Sequence, residues 1–88
     1  MTALDLVVHG RVQGVFYRDW TVRTARELGL AGWVRNEGDG TVAAHIEGEP
    51  QAVEAMVARM RDGPPRAAPT RIEQREVAAT GLTGFERR

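Results

Sequence analysis

The order of strand and helix patterns in this 88-residue chain predicts an α+β fold, β-α-β-β-α-β. Four segments have the composition and spacing of strands, and two others repeat apolar residues at the spacing of a helix. Glycine- and proline-bearing sequences separate these segments. This order is the split βαβ arrangement of ferredoxin-like folds, in which both helices cover one face of an antiparallel sheet.

The first half of the chain predicts a strand, a helix and a hairpin. Residues 4–9 alternate apolar with polar or β-branched side chains, which is the period of a half-buried strand. Residues 18–28 have apolar side chains at helical spacing. The turn-forming sequence at 37–40 joins two strand patterns, at 32–36 and 41–47, and therefore indicates a β-hairpin.

The second half predicts one helix and a fourth strand. Pro50 suits the first turn of the helix, whose core-facing stripe we expect to be Val53, Met56, Val57 and Met60. The prolines of segment 63–69 end this helix and form a loop. A weakly apolar strand is expected at 70–78, and residues Phe85–Arg88 are a candidate for an additional edge strand.

The composition excludes several kinds of chemistry. The chain contains no cysteine, serine or lysine, so nucleophilic serine, thiolate and lysine mechanisms are excluded. Twelve acidic residues balance twelve arginines, which gives no electrostatic reason to bind nucleic acid or an anionic membrane. The sequence also shows no targeting segment or membrane span. We therefore expect one cytoplasmic domain, residues 1–88, without metal or cofactor.

Residues 10–18 read GRVQGVFYR and connect the first strand to the first helix. Gly10 and Gly14 allow successive backbone N–H groups to converge on one point, and Arg18 adds a forked cation. A cation at a helix N-terminus opposes the helix dipole, which suggests that an anion is bound there. The run predicts a phosphate-binding loop formed by Arg18 and the amides of Gln13, Gly14, Val15, Phe16 and Tyr17.

Asn36 is the second candidate site residue. In a split βαβ unit the first and second strands run parallel, so their C-terminal ends lie at the same edge of the sheet. Arg18 and Asn36 are therefore expected to share this edge. A carboxamide beside a bound phosphate can hold a water molecule through both its donor and its acceptor, and can direct that water at phosphorus without acting as a base.

The other polar residues near these segments are assigned more ordinary roles. His9 directly precedes Gly10 and is interpreted as a solvent-facing or hydrogen-bonded strand histidine. His45 lies too far along its strand to be assigned a role. Glu37 and Asp39 stand in turn sequence and would repel a phosphate, so we interpret them as turn residues.

Two sequence runs resemble the signatures of a known family. Residues 10–18 look like the first signature of the acylphosphatase family, and residues 32–36, reading GWVRN, look like the second, together with Asp39, Gly40, Val42 and Gly48. Both signatures match in full, and the element order extends the resemblance over essentially the whole chain. The chain departs from the family pattern at Arg87, where an apolar residue is usual.

The resemblance implies hydrolysis of acyl phosphates to a carboxylate and inorganic phosphate, without a cofactor. By similarity, Arg18 binds the phosphate together with the loop amides, and Asn36 positions the attacking water. A carboxylate is a good leaving group, so no strong general acid is required. We expect a monomer whose partners are a small acyl phosphate and inorganic phosphate, the latter as product and competitive inhibitor.

Two alternative functions stay open. A non-catalytic anion-binding or regulatory domain would keep the loop but have no turnover, and an assay with benzoyl phosphate separates it from a hydrolase. A nucleic-acid-binding sheet would require aromatic residues on an open face and a basic surface. The chain has two Trp, one Tyr and two Phe residues and no net charge, which disfavours that alternative.

Overall fold

In the computed structural model, which describes residues 1–88, a five-stranded sheet is packed against two helices. Along the chain, the elements are β1 (Thr2–Arg11), α1 (Tyr17–Glu27), β2 (Ala31–Asn36), β3 (Val42–Gly48), α2 (Pro50–Asp62), β4 (Ala68–Val77) and β5 (Phe85–Arg87). The predicted fold class and order are confirmed, and the candidate C-terminal strand forms β5. Neither helix has the length and apolarity needed to cross a membrane.

The strands lie in the order β4-β1-β3-β2-β5. Strand β3 pairs antiparallel with both β1 and β2, and β1 pairs antiparallel with β4. Because β1 and β2 both oppose β3, they run parallel and end at the same edge of the sheet. The prediction of an antiparallel sheet holds for these four strands. After β4 the chain crosses to the opposite edge of the sheet, where β5 pairs in parallel with β2.

The core lies between the sheet and the helices. Alternate residues of the strands, among them Leu6 and Val34, face α1 and α2 and are almost completely buried. The predicted stripe of the second helix belongs to the same cluster, with Val53, Met56, Val57 and Met60 all buried. Each such side chain contributes roughly 1.5–3 kcal/mol of burial free energy. Tyr17 brings the first turn of α1 into this core.

Strand β4 begins two residues earlier than the predicted strand at 70–78. Pro69 lies inside β4, where a loop residue was expected, and pairs with Gly10 across a shift of register. An edge strand accepts a proline because it has an unpaired side. Gly10 has φ +111°, and a Cβ there would lie 2.4 Å from the Ala68 carbonyl oxygen. Gly10 therefore serves strand pairing, and the loop itself begins after Arg11.

Candidate functional site

The loop between β1 and α1, residues 12–16, bends sharply before the helix begins. Phe16 is the N-cap residue of α1 and has left-handed backbone angles, φ 64° and ψ 21°. Gly14 is also left-handed, with φ 73°. This conformation costs an aromatic residue about 1 to 3 kcal/mol, and strain of this kind concentrates at ligand-binding sites. The Phe16 side chain is 67% exposed, so core packing does not account for the strain.

The backbone N–H groups of residues 13–16 donate no hydrogen bond to another group of the chain. The first hydrogen bond of the helix runs from the Trp20 N–H to the Phe16 carbonyl oxygen, at 3.0 Å. Consecutive unpaired amides at the positive end of a helix dipole form a binding site for anions. The loop predicted to bind phosphate therefore has free donors along its length.

A cleft of about 250 Å³ lies beside this loop. Arg18 lines the cleft from the first turn of α1, and Asn36 lines it from the last residue of β2. The other lining residues are Val12, Gly14, Phe16, Tyr17, Asp19 and Arg87. The structure thus brings together the two residues expected at one sheet edge. Gln13 and Val15 belong to the loop but do not line the cleft.

The side chain of Asn36 has an unsatisfied acceptor. Its Oδ1 is buried and accepts no hydrogen bond. Buried polar atoms in proteins are nearly always hydrogen-bonded, and an asparagine that only shaped the turn would have its oxygen paired within the chain. Asn36 therefore has an acceptor without a partner inside the chain, at a position that lines the cleft.

Arg18 is partly buried and forms no ion pair with a carboxylate of the chain. The neighbouring Asp19 is paired instead with Arg87 of β5, with 2.8 Å between Oδ1 and Nη1. This pairing compensates the Asp19 charge beside the cleft and leaves the Arg18 guanidinium unengaged. The sequence analysis did not predict that Arg87 lines the cleft. The one indication in the sequence was that Arg87 is charged where the acylphosphatase family pattern usually has an apolar residue.

Two hydrogen-bonded side chains position the loop. The Tyr17 hydroxyl donates to the Met60 carbonyl oxygen at 2.7 Å, which joins the start of α1 to the end of α2. Burial raises the pKa of Tyr17 above its ordinary range, so this hydroxyl stays a donor at neutral pH. The Gln13 amide donates to the carbonyl oxygens of Glu37 and Thr41, both at 2.8 Å.

The residues interpreted as turn formers do not reach the cleft. Asp39 Oδ1 accepts hydrogen bonds from the Thr41 N–H at 3.0 Å and from its hydroxyl at 2.6 Å. Glu37 pairs with Arg35 at 3.2 Å. His9 is half-buried in β1 and also does not line the cleft. None of these side chains is placed to contact an anion bound at the loop.

On the opposite face of the sheet, His45 lies between two carboxylates. Its Nδ1 is 2.7 Å from Asp5 Oδ1, and its Nε2 is 2.6 Å from Glu47 Oε2. Glu47 is 2% exposed and also accepts hydrogen bonds from the backbone and hydroxyl of Thr80 and from the Gly81 N–H. The cluster therefore fastens the segment before β5 to the centre of the sheet.

The charges of this cluster stabilise one another. Burial acts to raise the pKa of Glu47, but hydrogen bonds from His45 and Thr80 outweigh burial and lower the pKa to about 2. Burial likewise acts to lower the pKa of His45, and its carboxylate partners outweigh burial and raise that pKa. The sequence signal that could have indicated this cluster is the two-residue spacing of His45 and Glu47, which places both side chains on one face of a strand. The position of Asp5 opposite His45 is known only from the structure. The structure has no group of residues arranged to hold a metal ion.

Comparison with known proteins identifies the family of the chain. A family model described as acylphosphatase matches residues 4–87. The chain belongs to the acylphosphatase family. An acylphosphatase of Rhodospirillum rubrum is 50% identical over 88 residues, which cover 100% of this chain and 97% of that protein. An acylphosphatase of Thermococcus kodakarensis is 51% identical over 81 residues, covering 92% of this chain and 89% of that protein.

The fold is also that of an acylphosphatase. The crystal structure of acylphosphatase from Bacillus subtilis superimposes with a TM-score of 0.95 at 34% sequence identity, and the match covers 98% of this chain and 97% of that one. The two acylphosphatase signatures occupy the β1–α1 connection and the β2–β3 hairpin. They meet at the cleft lined by Arg18 and Asn36.

Proposed function

We propose that residues 1–88 form one acylphosphatase domain, which hydrolyses acyl phosphates to a carboxylate and inorganic phosphate. The observation that carries this proposal is the placement of Arg18 and Asn36 on one cleft, beside a loop with free amides. Membership of the acylphosphatase family and 50% identity to a curated acylphosphatase over the full chain support the same activity.

In the proposed mechanism the phosphate lies against the loop. The amides of residues 13–17 donate to its oxygens, and the Arg18 guanidinium supplies two parallel donors from the helix. Negative charge is spread over the equatorial oxygens as phosphoryl transfer proceeds, and fixed donors stabilise that charge without reorganising. The left-handed backbone at Gly14 and Phe16 holds the amides in this arrangement before substrate arrives.

Asn36 positions the attacking water. Its carboxamide oxygen accepts a hydrogen bond from the water, and its NH₂ group can donate to the water or to a phosphate oxygen. The water oxygen forms a bond to phosphorus, the bond between phosphorus and the acyl oxygen breaks, and the carboxylate leaves with that electron pair. The proton of the water passes to a phosphate oxygen, so no protein base is needed.

We also propose partners for this site. Inorganic phosphate, the product, occupies the loop and therefore inhibits competitively, while the acyl group extends out of the cleft. We infer a monomer that acts in the cytoplasm, a compartment with which the cysteine-free composition is compatible.

Hydrolysis of benzoyl phosphate in isotopically labelled water tests the proposed function. We expect turnover by the chain alone, with the label recovered in phosphate. Label recovered in benzoate would contradict attack at phosphorus. Binding of phosphate without any turnover would instead support the non-catalytic anion-binding alternative.

A further inference from the structure

A shallow groove adjoins the cleft and runs between α1 and β5. It has a volume of about 580 Å³ and shares Phe16, Asp19 and Arg87 with the cleft. Its other lining residues are Val22, Arg23, Arg26 and Glu86. Because the two concave surfaces share one border, a molecule whose phosphate lies in the cleft can extend into the groove.

The groove has more positive than negative charge. Both of its acidic residues are already paired, Asp19 with Arg87 at 2.8 Å and Glu86 with Arg88 at 2.9 Å. Two further arginines line the groove without a carboxylate partner in the chain. The groove therefore suits a ligand that brings a negative charge of its own.

Arg23 is the more available of these two arginines. The Arg26 guanidinium donates to the Phe85 carbonyl oxygen at 2.9 and 3.2 Å, which fixes it against β5. Arg23 is exposed and forms no salt bridge within the chain. It lines the groove but not the cleft, so it can contact an acyl group without touching the phosphate.

We propose that this groove is the acyl-group subsite and that it favours acyl phosphates whose acyl group bears a carboxylate, with Arg23 as the partner of that carboxylate. This inference rests on the acyl phosphate hydrolysis proposed above. Phe16, 67% exposed at the border of the cleft, and Val22 offer apolar surface to the intervening carbon atoms.

The helix geometry matches a short, rigid acyl group. Arg23 follows Phe16 by seven residues, which is about 10 Å along the axis of α1. The Cα–Cβ bonds of a helix tilt toward its N-terminus, so the Arg23 side chain leaves the backbone in the direction of the cleft. A benzoyl group with a para carboxylate extends in this direction and cannot fold back on its own phosphate.

Steady-state kinetics with two substrates of the same shape test the subsite. The quantity compared is the ratio of kcat/KM for para-carboxybenzoyl phosphate to kcat/KM for its neutral para-carbamoyl analogue. We expect Arg23→Gln to lower this ratio about two- to fivefold, the contribution of an exposed ion pair, and Arg23→Glu to lower it further through repulsion. Arg66→Gln, at an exposed arginine outside the cleft and groove, is the matched control and leaves the ratio unchanged.

The results of this experiment distinguish a failure of the proposed subsite from a failure of the proposed hydrolase function. An unchanged ratio in Arg23→Gln, with normal turnover of unsubstituted benzoyl phosphate, overturns the subsite and leaves hydrolysis intact. Failure of the wild-type chain to hydrolyse benzoyl phosphate overturns both. Added salt should also reduce the wild-type ratio, because it screens exposed charges, and a ratio insensitive to salt would contradict direct pairing with Arg23.

Discussion

The Gln13 side chain donates a hydrogen bond to the Glu37 carbonyl oxygen at 2.8 Å, and so ties the loop before α1 to the hairpin that follows Asn36. A second hydrogen bond of the same length runs from the same amide to the Thr41 carbonyl oxygen. The free amides and the Asn36 carboxamide come from segments that are distant in sequence, and this cross-link holds them in one geometry. Rates of reaction depend steeply on such positioning.

Replacing Gln13 tests this positioning role. Gln13→Leu keeps the approximate size of the side chain but removes the hydrogen bonds that join the loop to the Glu37 and Thr41 carbonyl oxygens, each of which still accepts a backbone N–H within the hairpin. We expect kcat for benzoyl phosphate to fall about tenfold, with a loss of about 0.5 to 1.5 kcal/mol in the free energy of unfolding, because both carbonyl oxygens keep a backbone partner. Gln51→Leu, on the exposed side of α2, is the control. A Gln13 variant with wild-type kcat would show that the cross-link does not position the site.

Replacing Arg18 with lysine separates charge from geometry. Lysine keeps the positive charge but cannot present two parallel donors to a phosphate. We expect kcat/KM for benzoyl phosphate to fall about 100-fold or more in Arg18→Lys, and Arg18→Ala to lose turnover altogether. Arg11→Lys serves as the control, because Arg11 is exposed and does not line the cleft. Near-normal kinetics in Arg18→Lys would mean that a point charge suffices.

The His45 cluster predicts how stability changes with pH. The pKa of Glu47 is lowered from 4.5 to about 2, so its contribution is fully present above pH 4.5 and is lost as the pH falls toward 2. The pKa of His45 is raised above 6.5, so its contribution is present below pH 6.5 and is lost as the pH rises through the folded-state value. The combined contribution is therefore greatest between pH 4.5 and pH 6.5.

Urea unfolding across this range measures the effect. We expect the free energy of unfolding to decrease both below pH 4.5 and above pH 6.5. In Glu47→Gln the decrease below pH 4.5 should become smaller. The same substitution should lower the free energy of unfolding by about 3 kcal/mol, the typical cost of breaking a buried ion pair. Glu76→Gln, on the exposed part of β4, should change stability by less than about 0.5 kcal/mol. Stability that keeps rising above pH 6.5 would contradict the raised pKa of His45.

Local patterns predicted most of the fold and the pair of residues at the cleft. Periodicity located both helices and the four main strands, and the split βαβ order placed Arg18 and Asn36 at one edge, because parallel strands end together. The prediction for Pro69 was wrong, since proline alone does not reveal that its strand lies at an edge of the sheet.

Residues that meet through long-range pairing were not predictable in this way. Arg87 reaches the cleft because a strand of three residues pairs in parallel with β2, across the sheet from β4. The contact between Asp5 and His45 depends on the register of β1 against β3, which the sequence pattern does not specify to a single residue. The position of Arg87 at the cleft and the contact between Asp5 and His45 are therefore visible only in the structure.

The most direct test of the central claim is a comparison of kcat with phosphate affinity in Asn36→Ala. The proposed water-positioning role predicts that kcat for benzoyl phosphate falls about 100-fold or more, while the inhibition constant of inorganic phosphate stays within about threefold of the wild-type value. Urea unfolding of the same variant establishes that it is folded. A wild-type kcat, or a parallel loss of kcat and phosphate affinity, would contradict the assignment of Asn36 as the residue that positions the attacking water.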